Sequence, residues 1–188
     1  MTTKTHDQSV AEHGQCMLNR REFLLYSGAS AAAVSTITLF PGTAQAQKAR
    51  VVGYPHQFIA KLSELKDHEP LNFNYPDNNT NSYCMLVKMG IKAGGGVGPQ
   101  RDVIAFGSLC THQGGPLMGT YKVTGDQRTV GQCPFHLSVY DLRRHGIIVS
   151  GQAYQNLPQV LLEMNGDDIY AVGMMGLLYG RNENLMNA

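Results

Sequence analysis

From Lys48 onward, apolar residues come in short runs or alternate with polar ones. No window keeps the i, i+3, i+4, i+7 spacing of a helix over helical length. Turn residues interrupt the runs, as expected for many short strands. The pattern predicts strands over Arg50–Val52, Ser82–Lys88, Val103–Phe106, Thr120–Val123, Thr129–Gly131, Ser138–Asp141 and Ile147–Ser150. A last pair, Val160–Met164 and Ile169–Gly173, flanks Asn165-Gly166-Asp167-Asp168, a strong hairpin signal. Ala60–Lys66 suits one helical turn, whereas Asp77–Asn81 and Gly94–Gly98 read as exposed loops. The pattern therefore predicts an all-β domain of small antiparallel sheets.

The first forty-six residues have a different character. Asn19-Arg20-Arg21-Glu22-Phe23-Leu24-Leu25 resembles a twin-arginine export motif. An uncharged, alanine-rich stretch from Tyr26 to Phe40 follows, then Pro41 and Ala44-Gln45-Ala46, the order of a cleavable bacterial signal. Residues 1–46 are thus expected to be an export address and 47–188 the mature domain, carried folded to the periplasm. Retention of this weakly apolar segment as an N-terminal anchor is the alternative.

Composition narrows the function. The chain has 188 residues, 15% of them charged, and a net charge of +1 with no run of like charges. A nucleic-acid binder would carry a basic stripe, so that class is disfavoured. Four cysteines are too few and too irregular for a disulfide framework. Cys16 falls in the export segment, and Cys84 lies in a strand-like run as a small core residue.

The remaining two cysteines carry the chemistry. One segment reads Cys110-Thr111-His112-Gln113-Gly114-Gly115-Pro116-Leu117, the other Cys133-Pro134-Phe135-His136-Leu137-Ser138-Val139-Tyr140-Asp141. Each supplies one thiolate and one imidazole, among glycines and prolines that let the backbone turn tightly. A structural zinc ion also takes two sulfurs and two nitrogens, but its ligands usually come as Cys with Cys and His with His, two to four residues apart. Here Cys and His alternate, which suits two irons side by side, the cysteines on one and the histidines on the other.

C-x-H-x-G followed by C-x-x-H resembles the Rieske [2Fe–2S] family. The resemblance implies a Rieske-type fold with a cluster-binding subdomain near 103–152 and one [2Fe–2S] cluster held by Cys110, His112, Cys133 and His136. Respiratory members carry a further cysteine in each loop, joined as a disulfide; here those positions are Gly115 and Phe135. Ser138 and Tyr140 stand where high-potential members place hydroxyls that donate to the cluster sulfurs and raise its potential. The phrases CTHQGGPL and CPFHLSVYDL resemble the small subunits of bacterial arsenite oxidases. That likeness implies an electron-transfer subunit of an oxidoreductase, with no substrate site of its own. It also implies a large partner carrying molybdopterin and a 3Fe–4S cluster, and a periplasmic cytochrome c or copper protein as electron acceptor. A Rieske subunit of another exported complex, such as a quinol-oxidising cytochrome bc complex, is the alternative. Gly151–Pro158 is expected to be a third loop over the cluster. His145, beside Arg143 and Arg144, reads as a solvated turn, and Met174-Met175 as a core or subunit contact.

Overall fold

The computed structural model describes residues 53–185, which lie within one compact unit, Val51–Ala188. The expected export segment, Cys16 and the strand expected at Arg50–Val52 lie outside the described residues. Ten strands follow in order. They are β1 (Gln57–Lys61), β2 (Leu71–Asn74), β3 (Tyr83–Lys88), β4 (Val103–Gly107), β5 (Tyr121–Thr124), β6 (Gln127–Val130), β7 (Val139–Asp141), β8 (Ile147–Ser150), β9 (Gln159–Asn165) and β10 (Asp168–Met175). Two single 3-10 turns, Leu62–Glu64 and Leu142–Arg144, follow β1 and β7. Among the described residues no helix is long and apolar enough to cross a membrane.

The strands form a six-stranded sheet in the order β1-β10-β9-β4-β3-β2 and a four-stranded sheet in the order β5-β6-β7-β8. Every pairing in both is antiparallel. The smaller sheet is threaded between β4 and β9 of the larger one, so the chain leaves at Gly107 and returns at Gln159.

β3 and β4 read as nearly unbroken apolar runs because both of their faces are buried. On one face Met85, Val87, Ile104 and Phe106 pack with Val130, Tyr140, Leu142, Leu117, Cys110 and Cys133. On the other, Cys84, Leu86, Val103 and Ala105 pack with Val160, Ile169, Ala171 and Leu178. The core that holds the large sheet to the small one thus includes both motif cysteines. Cys84 is a fully buried core residue whose thiol meets the Tyr75 carbonyl at 3.7 Å, and burial pushes its pKa up to about 12.

The expected elements need four adjustments. β1 and β2 are short and bury only Ala60 between them, and they exist because β10 and β3 supply their backbone partners. The helical turn expected at Ala60–Lys66 is only Leu62–Glu64, since Ala60 and Lys61 pair with Ile169 and Asp168. β6 begins at Gln127 because a turn with Gly125 at φ +54° places Gln127 opposite Thr124. Ser138 precedes β7, as part of the turn described next. The Asn165–Asp168 hairpin forms as read, with Gly166 at φ +60°.

Candidate metal centre

The two motif loops close in the same way. In the first, the Cys110 N–H donates to the Gly115 carbonyl at 2.9 Å, and the Gly114 N–H donates back to the Cys110 carbonyl at 2.8 Å. In the second, the Cys133 N–H donates to the Ser138 carbonyl at 2.9 Å, and the Leu137 N–H to the Cys133 carbonyl at 3.0 Å. The fifth residue of each turn is left-handed, Gly114 at φ +69° and Leu137 at φ +60°. The two cysteines therefore occupy equivalent places in matched turns, while the histidines stand two and three residues after them.

This geometry sorts the donors by depth. Cys110 and Cys133 are each 1% exposed, His112 is half-buried and His136 is exposed. The two imidazole rings lie 4.5 Å apart, edge to face at 79°. A Cβ added to Gly115 would stand 2.5 Å from the Cys133 sulfur and 3.1 Å from the Phe135 ring, so only glycine lets the first loop lie against the second. Where a disulfide joins these loops in respiratory members, an aromatic ring here rests on a bare backbone. Among the described residues, no three His, Cys, Asp or Glu side chains gather around one metal-ion position. Two thiols below and two imidazoles above fit a two-metal cluster better than a single zinc ion.

The hydroxyls expected to tune the centre are buried beside it. The Tyr140 Oη lies 3.2 Å from the Cys110 sulfur, accepts the Thr111 N–H at 3.1 Å, and lies 3.0 Å from the Thr111 hydroxyl. The Ser138 Oγ accepts the backbone N–H groups of Gln152 and Ala153 at 3.2 and 3.1 Å. Both of its lone pairs are then engaged, leaving its own proton free for a sulfur. Burial pushes the Cys110 thiol up, but hydrogen bonds from Tyr140, the His112 backbone, Cys133 and Ser138 outweigh it, and its pKa is lowered. Burial raises the Cys133 pKa against the opposing N–H groups of Phe135 and His136. Burial, followed by the Cys110 sulfur, raises the Tyr140 pKa, so this phenol keeps its proton as a donor.

The third loop meets the Ser138 hydroxyl directly and the Tyr140 hydroxyl only through Thr111. Gly151, at φ +96°, lies so close to Ser138 that a Cβ there would be 2.3 Å from the Ser138 Cα. Further along, the Gln155 carbonyl accepts the Thr111 hydroxyl at 2.7 Å. Sequence reasoning gave Thr111 no role, although its place between two metal-type residues was a usable signal. No local pattern signals Tyr179, whose ring packs on Gly114. Nor does one signal Arg181, 7% exposed, which pairs with Asp77 at 2.9 Å and ties the C-terminal segment down.

Other candidates fall elsewhere. His145 is exposed in a left-handed turn, yet its Nδ1 meets the buried Gln159 amide at 2.7 Å. His56 packs against Tyr170 at 4.4 Å. Met174 is buried and Met175 is 47% exposed.

The fold, the matched loops and the two-by-two donor set define a Rieske protein. Residues 56–161 match the family model for the Rieske [2Fe-2S] domain, and the chain belongs to that family, which carries one [2Fe–2S] cluster of the Rieske type. It is 50% identical over 180 residues to the iodate reductase subunit IdrB of Denitromonas iodatirespirans, covering 95% of this chain and 93% of that one. It is 49% identical over 175 residues to the iodate reductase subunit IdrB of Pseudomonas sp. (strain SCT), covering 93% and 88%. Its fold is similar to the soluble domain of the Rieske protein II (soxF) from Sulfolobus acidocaldarius. That match has a TM-score of 0.59 and 24% identity, over 70% of this chain and 84% of the other.

Proposed function

We propose that Cys110 and Cys133 hold the buried iron of the cluster and His112 and His136 the outer one, as the electron-transfer subunit of an oxyanion oxidoreductase. The cluster supplies one-electron exchange. This chain's residues shield the thiolate side, present the imidazole edge to a redox partner, and donate Ser138 and Tyr140 hydroxyls that favour the reduced state. The observation that carries this reading is the depth ordering of the donors, with His136 exposed above two thiols that are each 1% exposed.

The near full-length likeness to iodate reductase subunits supports iodate as the substrate of a large catalytic partner, with electrons flowing through this chain toward it. The CTHQGGPL and CPFHLSVYDL phrases favour a second reading, arsenite oxidation, with electrons leaving toward a periplasmic cytochrome c or copper protein. In both readings the partner carries molybdopterin, and residues 1–46 direct the folded domain 47–188 to the periplasm. The test is purification of the native complex, with iron, sulfide and molybdenum analysis. Iodate consumption by the reduced complex supports the first reading, and dye reduction by arsenite the second. Isolation without a molybdenum-containing partner refutes both.

A further inference from the structure

Three groups meet the Tyr140 hydroxyl and a fourth, the Gln155 carbonyl, binds one of them; their chemistry fixes the place of every proton but one. The Thr111 N–H can only donate, so it fills one lone pair of Oη at 3.1 Å. The Gln155 carbonyl can only accept, so the Thr111 hydroxyl proton is committed to it at 2.7 Å. Thr111 Oγ1 therefore faces Tyr140 as an acceptor only, at 3.0 Å. The Cys110 sulfur, deprotonated as a metal ligand, is likewise an acceptor only, at 3.2 Å. Tyr140 has one hydroxyl proton for two acceptors. All three residues are buried, Tyr140 at 0%, Thr111 at 5% and Cys110 at 1% exposure.

We propose that Thr111 is a positioning residue that holds the cluster potential down by competing with Cys110 for the Tyr140 proton. A hydrogen bond to the Cys110 sulfur strengthens as the cluster gains negative charge and so favours the reduced state. A bond to the neutral Thr111 oxygen has no such preference and gives the phenol an alternative partner in the oxidised state. On one-electron reduction no O–H bond breaks; the hydroxyl turns from Thr111 toward the sulfur and keeps its proton. The Gln155 carbonyl is part of the device, because it forces Thr111 into the acceptor role. Through it the third loop bears on the potential.

The inference rests on Cys110 being a cluster ligand, and the variants separate the two claims. Midpoint potentials of the holoprotein are measured by spectroelectrochemical titration for Thr111→Val, Thr111→Ser, Tyr140→Phe and the Tyr140→Phe/Thr111→Val pair. Valine, similar in shape, removes the competing acceptor, so the potential is expected to rise. Serine restores the wild-type value. Tyr140→Phe lowers the potential, and adding Thr111→Val to it changes nothing further. Unchanged or lowered potential in Thr111→Val overturns the proposal, as does a rise that persists without the phenol. If Tyr140→Phe holds its cluster with the potential unmoved, the Tyr140 proton does not act on the cluster and this inference falls alone, whereas Cys110→Ala that still holds the cluster overturns the ligand assignment and the inference with it. Should Thr111→Val not take up iron, redox-difference infrared spectra of wild-type protein with labelled tyrosine replace it. The Tyr140 O–H band must then shift between oxidised and reduced states, and a fixed band overturns the proposal.

Discussion

Replacing Ser138 with alanine probes the centre and its supporting loop at once. The side chain is fully buried, and its Oγ accepts the N–H groups of Gln152 and Ala153 at 3.2 and 3.1 Å. Alanine leaves both N–H groups without that partner, at about 1 kcal/mol each, or about 2 kcal/mol of stability. For a domain of this size the midpoint of thermal unfolding should fall by about 8 °C. The redox effect is separate. A hydrogen bond to a charged acceptor exceeds one to a neutral acceptor by about 1–2 kcal/mol. At about 2.3 kcal/mol per 100 mV for one electron, losing a donor to the cluster sulfur lowers the potential by about 40–90 mV. Spectroelectrochemical titration reads the potential, and thermal denaturation of the same sample reads the stability. A potential at the wild-type value with reduced stability would refute the tuning role and leave Ser138 as a clamp for the third loop.

Tyr140→Phe should lower the potential by a similar tens of millivolts, since its hydroxyl lies 3.2 Å from the Cys110 sulfur; titration of the loaded protein checks this. Gly151→Ala is expected to cost about 3 kcal/mol in urea unfolding, because φ is +96° and the new methyl would stand 2.3 Å from Ser138 Cα; a stable variant would show that the third loop does not press on Ser138. The Arg181 guanidinium holds the Asp77 carboxyl well below its ordinary value of 3.8, with burial opposing it and Ser82 and Asn79 assisting. A lowered folded-state pKa gives stability that is present above about pH 4 and is lost as pH falls through the folded value. Asp77→Asn should therefore cost about 2 kcal/mol at neutral pH, discounted for the partial exposure of the carboxylate, and flatten the acid limb of a stability profile. An unchanged acid limb would contradict it.

The central strands and the metal-type residues were legible because each is written locally. β3 and β4 are continuous apolar runs, and both Cys–His pairs sit within loops of eight or nine residues marked by glycine and proline. β1 and β2 were not legible: in Leu71-Asn72-Phe73-Asn74 the alternation lasts only four residues, two of them strand-disfavouring asparagines, and pairing with β3 makes the segment a strand. The site divided in the same way. The ligand-type residues stood out by spacing, and Ser138 and Tyr140 by resemblance to the Rieske family. The contacts of Thr111 with Gln155, and of Gly114 with Tyr179, join residues 44 and 65 positions apart, and no local pattern encodes them. The paired Cys–His motifs led to the Rieske family, while the finer likeness to arsenite oxidase subunits differs from the relatives matched over most of their length, which are iodate reductase subunits.

Two-by-two ligation is read directly by pulsed electron–nuclear resonance on the reduced holoprotein with histidines labelled by nitrogen-15. Two histidine nitrogens should couple to the cluster, replacement of His112 or His136 should each remove one, and iron and acid-labile sulfide should be present in equal amounts. A protein holding one zinc ion, or a cluster whose spectrum carries no histidine nitrogen, would contradict it.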